Sequence, residues 1–172
     1  MRATLALAAV VLVAIALGVV VLDASGAPNP STTAAASPPG GSICADPGAL
    51  TSAHITRDDL LDNPLVFGVP AKVTVTDRGK VHALASALCT LPLLPKGPIF
   101  CPADLGVRYL VVFSAKSVIR ARVTIELGGC ETVTGLDGTR WASKTPRLWH
   151  VLADALGRPH ATYAEIAGRL NT

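Results

Sequence analysis

The chain has 172 residues, half of them apolar and only 16% charged, with a net charge of +3. No fixed period recurs and no heptad is sustained, which excludes collagen, repeat and coiled-coil architectures, and a chain of this length supports one core. The 15 cations are scattered and not gathered in a stripe with interleaved aromatics, so nucleic acid is excluded as a partner.

Residues 5–22, LALAAVVLVAIALGVVVL, carry no polar side chain and lie between Arg2 and Asp23. As a helix they would span about 27 Å, against a hydrocarbon core of about 30 Å. The run is longer than the roughly 7 to 15 apolar residues of a secretory signal, while Ala24 and Gly26 are small enough to permit cleavage after Gly26. Residues 1–22 therefore read as either a cleaved signal peptide or a retained membrane anchor. Both readings export residues 23–172, because Arg2 holds the N-terminus inside. Of residues 23–43, 18 of 21 are Ala, Pro, Ser, Gly or Thr. Such a stretch buries too little apolar area to offset its ordering entropy, and it reads as a disordered linker. The expected location is extracytoplasmic, either secreted or attached to the cell membrane through residues 5–22.

Residues 44–172 form the exported domain. After Cys44, Thr56 can start a short helix carrying Asp58, Asp59 and Asp62, a cluster without calcium-loop spacing. Ala71 to Thr76 alternates as a strand does. Asp77 can cap a helix over 78–88, with Val81, Leu84, Ala85 and Leu88 on one face. Four prolines in CTLPLLPKGPIFCP make residues 89–102 a loop. Residues 106–113 and 117–127 then read as a hairpin. A turn centred between Ala115 and Lys116 sets Leu110 opposite Ala121 and Val112 opposite Ile119, with Val123 and Ile125 extending this apolar face. Tyr109 and Phe113 then share the reverse face with Arg120 and Arg122, which can lie over their rings.

The same register sets Cys101 opposite Cys130 just beyond the open end of the hairpin, leaving Cys44 for Cys89. The rival pairing, Cys89 with Cys101 and Cys44 with Cys130, stays open. Four cysteines in an exported chain read as bridges, and no spacing suits zinc or any other metal. Further on, Glu131 to Gly135 reads as a strand, Asp137-Gly138 as a turn, and Thr145-Pro146 as the start of a helix ended by Gly157 and Pro159. The capping box Thr162 to Glu165 opens a last helix with Tyr163, Ile166 and Leu170 inward. The fold class is α+β, a small antiparallel sheet with helices packed on one face.

No nucleophile elbow, phosphate loop or dinucleotide fingerprint occurs, and His54, His82, His150 and His160 fall on separate elements. The expectation is a non-enzymatic module without cofactors, binding an envelope or extracellular partner or serving a structural role there. An envelope hydrolase ranks third, since it would need a histidine gathered with a carboxylate or hydroxyl in one pocket. Candidate binding residues are Arg120 and Arg122 on the hairpin, Arg140 and Trp141 in a basic, tryptophan-bearing stretch, and the proline loop.

The runs CTLPLLPKGPIFCPADLGVRYLVVF, GGCETVTG and GTRWASKTPRLW resemble a group of uncharacterised secreted or membrane-attached proteins of actinobacteria. That likeness covers roughly residues 81–156 and implies no activity. Cys101-Pro102, a hairpin and then Cys130 resemble the bonded hairpin of the subtilisin-inhibitor-like family, exported inhibitors with a small antiparallel sheet, two helices and two disulfides. The resemblance implies a protease-facing loop of Pro102, Ala103 and Asp104, with the presented bond between Ala103 and Asp104. The chain departs from that family in lacking a cysteine in the strand before the first helix and in placing Asp104 beside the presented bond.

Overall fold

In the computed structural model, the described residues are 43–59, 65–143 and 145–170, all within the unit Ala35–Thr172. The anchor or signal at 5–22 and residues 23–42 of the linker lie outside them, as do Asp62 and Lys144. Among the described residues, no helix is long and apolar enough to cross a membrane. Ile43, the last residue assigned to the linker, is buried in the core.

The fold is α+β. Eight strands run β1 Ser52–Asp59, β2 Leu65–Val66, β3 Lys72–Val75, β4 Val107–Ala115, β5 Val118–Glu126, β6 Thr132–Leu136, β7 Gly138–Trp141 and β8 Arg169–Leu170. The helices are α1 Arg78–Cys89, α2 Pro146–Ala155 and α3 Tyr163–Ala167. Six strands form one sheet in the order β3-β1-β4-β5-β6-β7, every pair antiparallel, while β2 and β8 pair separately. Strand β1 lies between β3 and β4, so α1 carries the chain over it.

Alternation places one row of side chains inward on each strand. Val75, Ala53, Phe113 and Ala121 form one cross-strand row, Val73, Ile55, Val111 and Val123 the next, and Arg57, Tyr109, Ile125 and Val133 the third. Val81, Leu84, Ala85 and Leu88 of α1 and Leu148, Leu152 and Ala155 of α2 are buried in the same core. Asp77 caps α1 by accepting from the Lys80 amide. Pro146 opens α2, although Thr145 makes no side-chain cap bond.

Three expectations are corrected. Residues 52–59 form a central strand and not a helix. Ala53 and Ile55 alternate into the core, and the acids at the strand end are paired, Asp58 with Arg108 at 2.6 Å and Asp59 with Arg57 at 3.3 Å. In the hairpin, Lys116 and Ser117 both take positive φ (48° and 66°), so the two-residue turn is centred one position later than the sequence suggests. A register shift beside Phe113 adds one more residue on β5. Leu110 therefore faces Thr124 and Val112 faces Arg122, while Tyr109 and Phe113 turn into the core. Arg120 and Arg122 lie across the sheet from those rings, and the ring-stacked arginine is Arg57, 3.5 Å from the centre of Phe67. Finally, Leu170 is 61% exposed, because it lies in β8 paired with Leu65 and not on a helix.

Tyr109 is fully buried and donates from its hydroxyl to the Ile166 carbonyl at 3.0 Å. Burial raises its pKa from 10.0 to about 12, opposed by the nearby Arg57. The unfolded chain gives up this proton first, so stability is complete below pH 10 and declines as pH rises to about 12, by about 2–3 kcal/mol. Tyr109→Phe should cost about 1–2 kcal/mol at pH 8 by stranding the Ile166 carbonyl, and should flatten that alkaline decline. Urea unfolding of both proteins at pH 8 and pH 11 checks both effects.

Candidate functional site

The chain between α1 and β4 is fastened at two points. Arg140 Nη1 donates to the Leu91 carbonyl at 2.7 Å, and the amides of Trp141 and Leu94 donate to Pro92 and Thr139 at 2.9 Å, so residues 91–94 lie along the edge strand β7. The other fastening is the Cys101–Cys130 disulfide, with Cα atoms 4.8 Å apart. Between these points, Pro95 to Phe100 arches away from the sheet, and every residue from Pro95 to Asp104 is exposed except the half-buried Ile99. Leu93, Phe100 and Leu105 are 60%, 97% and 47% exposed. The loop thus stands exposed at the surface of the fold.

Its C-terminal limb packs on the turn after β5. The Gly129 amide approaches the Ala103 carbonyl at 3.5 Å, and Asp104 Oδ1 accepts from the Gly106 amide at 2.8 Å. A Cβ on Gly128 would run into the Asp104 side chain and come within 3.0 Å of the Leu105 nitrogen. Gly106 and Gly129 supply positive φ (73° and 58°) on the two segments that bring the cysteines together. The Asp104 carboxylate is thus folded back onto its own backbone and is not held out with the loop.

The second disulfide joins Cys44 to Cys89, with Cα atoms 5.3 Å apart. The favoured pairing is the one observed, though not through the hairpin register, which runs three positions away from that expected. Cys101 reaches Cys130 because both segments turn beyond the strand ends.

Among the other candidate residues, Arg120 and Arg122 are exposed on the open sheet face, where no helix of the described residues packs. The side-chain rows there are Thr74, His54, Val112 and Arg122, then Lys72, Thr56, Leu110, Thr124 and Thr134. Arg140 and Trp141 are half-buried, and both fasten the loop, Arg140 through its guanidinium and Trp141 through its backbone amide.

One feature had no sequence signal. Glu131, Ser143, Thr145, Pro146, Trp149 and Tyr163 line a cavity of about 370 Å³. The Trp149 and Tyr163 rings meet edge to face, 5.1 Å between centres. The Tyr163 hydroxyl lies 2.6 Å from Glu131 Oε1 and 2.9 Å from the Leu127 carbonyl. Burial, and then Glu131, hold that phenol well above its ordinary pKa. A dent of about 270 Å³ brings His160 near Glu165. The Glu165 carboxylate is engaged there by the amide and hydroxyl of Thr162, which hold its pKa low. Among the described residues, no group of three His, Cys, Asp or Glu could hold a metal ion.

Comparison of the chain with protein families, with curated proteins and with solved structures finds no match.

Peptide mapping without reduction should recover Cys44 linked to Cys89 and Cys101 linked to Cys130. Replacing Cys101 and Cys130 together by serine should lower stability by about 3–4 kcal/mol for a 29-residue span and open residues 95–104 to proteolysis. Unfolding curves and limited digestion measure both.

Proposed function

We propose that the protein is an extracytoplasmic binding module whose recognition element is the arch from Pro95 to Asp104. Two disulfides in a small α+β domain are compatible with an oxidising location. The observation that carries the binding role is Phe100, 97% exposed on a segment that is fastened on both sides. Scattered exposed hydrophobics mean little, but a phenylalanine left almost wholly in water on a chain already held in place is the kind of residue a partner covers. A segment pre-ordered in this way loses less entropy on binding than a free loop. In this reading the module binds through the loop and performs no chemistry, with its partner in the envelope or outside the cell.

Protease inhibition is the second reading, favoured by the same geometry. A convex Cys101-Pro102-Ala103 limb, cross-linked at its base, can enter a protease cleft and resist release after cleavage. Asp104 is a smaller obstacle than its charge suggests, because its carboxylate accepts from Gly106.

Lys96 lies within the arch and Lys116 on the far hairpin turn, and both are exposed. A membrane-impermeant amine reagent applied to intact cells should label Lys116 and should spare Lys96 relative to purified protein. Failure to label either lysine, with no protein in the culture medium, would refute export, and equal labelling of both would refute the loop as the bound element. Titration against a subtilisin-type protease separates the second reading, since stoichiometric loss of protease activity supports it and simple digestion of the loop ends it.

A further inference from the structure

We infer that the cavity between Trp149, Tyr163 and Glu131 is a binding site for a cationic group on an apolar stem, an alkylammonium or a guanidinium. Its lining includes the rings of Trp149 and Tyr163, packed edge to face at 66°, and an aromatic face attracts a cation. Pro146 and the methyl-bearing Thr145 add apolar lining for a stem. Glu131 supplies the charge. Tyr163 is its hydrogen-bond partner, and among the described residues no lysine, arginine or histidine forms an ion pair with it. A carboxylate satisfied by one phenol keeps its net charge and its remaining lone pairs for a ligand.

Two further observations show how the site is held in place. Glu131 is held at φ 51°, a left-handed conformation uncommon for a residue with a side chain, immediately after the bonded Cys130. The Tyr163 hydroxyl, shared between Glu131 and the Leu127 carbonyl, then fixes the phenol at the cavity edge. At about 370 Å³, the space is at the small end for a ligand site and suits one side chain or a small amine. The site stands on this geometry alone and does not depend on what the arch binds.

The test is a titration of the full-length oxidised protein with three blocked amino acids: Nα-acetyl-lysine methylamide, Nα-acetyl-arginine methylamide and the neutral Nα-acetyl-norleucine methylamide. It is followed by the Trp149 indole and Glu131 amide signals in proton–nitrogen NMR. At least one cationic compound should move both signals and bind about tenfold more tightly than norleucine, and Glu131→Gln should abolish that advantage while leaving the rest of the spectrum in place. Tyr163→Phe, which keeps the ring, should retain part of the preference. Equal binding of norleucine would overturn the inference, leaving only an apolar dent, and so would the absence of shifts with all three compounds. Cation binding that emerges only after Lys144→Ala would overturn it as well, because the chain's own neighbouring ammonium would then be the occupant.

Discussion

The buried hydroxyl of Tyr109 ties the middle of β4 to the end of α3 through the Ile166 carbonyl, and the rest of the molecule closes around that bond. From α3, Tyr163 reaches back to the Leu127 carbonyl at the end of β5 and to Glu131. Three residues beyond Leu127, Cys130 bonds to Cys101, and the chain from Cys101 runs back into β4. Sheet, last helix, cavity and arch therefore belong to one closed circuit of contacts. A phenol serves this circuit well because its ring fills core volume while its oxygen satisfies a backbone carbonyl that would otherwise be buried unpaired.

That circuit requires the inward face of β4 to carry Tyr109, which is a consequence of the bulge beside the hairpin turn, because the shifted turn alone moves the pairing by an even step. Two residues in the left-handed region match the twist of the flanking strands, and the extra residue on β5 shifts the pairing once more. An odd displacement exchanges the two faces of a strand relative to its partner. With the turn one position earlier and no bulge, Leu110 and Val112 would face the helices, and Tyr109 would lie on the open face, beyond reach of Ile166. The polar rows of that open face, built on His54, Thr56, Thr74 and Thr124, are the complement of the same choice.

Much of this was legible in the sequence. Helix α1 was clear from its cap and 3.6-residue spacing, α2 from Pro146, and the antiparallel α+β class from the order of elements. Strand β1 was misread because only Ala53 and Ile55 mark its buried face, and its acids resemble a helical first turn. Tertiary pairing with Arg108 and Arg57, which no local pattern encodes, accounts for those acids. The hairpin register was missed because Lys116-Ser117 lacks the glycine or asparagine that usually announces two positive φ angles. The cysteine pairing was anticipated from a register that does not hold. Of the candidate site residues, the loop limb Pro102 to Asp104 stands exposed, and half-buried Arg140 and Trp141 hold the start of the loop at Leu91 and Pro92. The cavity was illegible because Glu131, Trp149 and Tyr163 come from three separate segments.

Among the described residues, Phe100 on the arch is the large hydrophobic side chain most open to water. Burying a phenylalanine is worth roughly 1.5–3 kcal/mol, yet Phe100 is almost fully in water and lies one residue before a disulfide that pins the chain to the turn after β5. On the other limb, Arg140 and Trp141 of β7 donate to the Leu91 and Pro92 carbonyls and the Leu94 amide donates to Thr139, which holds the loop's entry along the sheet edge. Holding an apolar residue outward at both ends brings the isolated domain no burial. It does prepare a surface whose ordering cost has already been met during folding, so burial of Phe100 on a second molecule would appear in affinity largely undiminished. The same disulfide joins the arch at Cys101 to Cys130, the residue before Glu131, and Glu131 lies two residues beyond the amide that contacts Ala103, so arch and cavity are parts of one cross-linked corner of the fold.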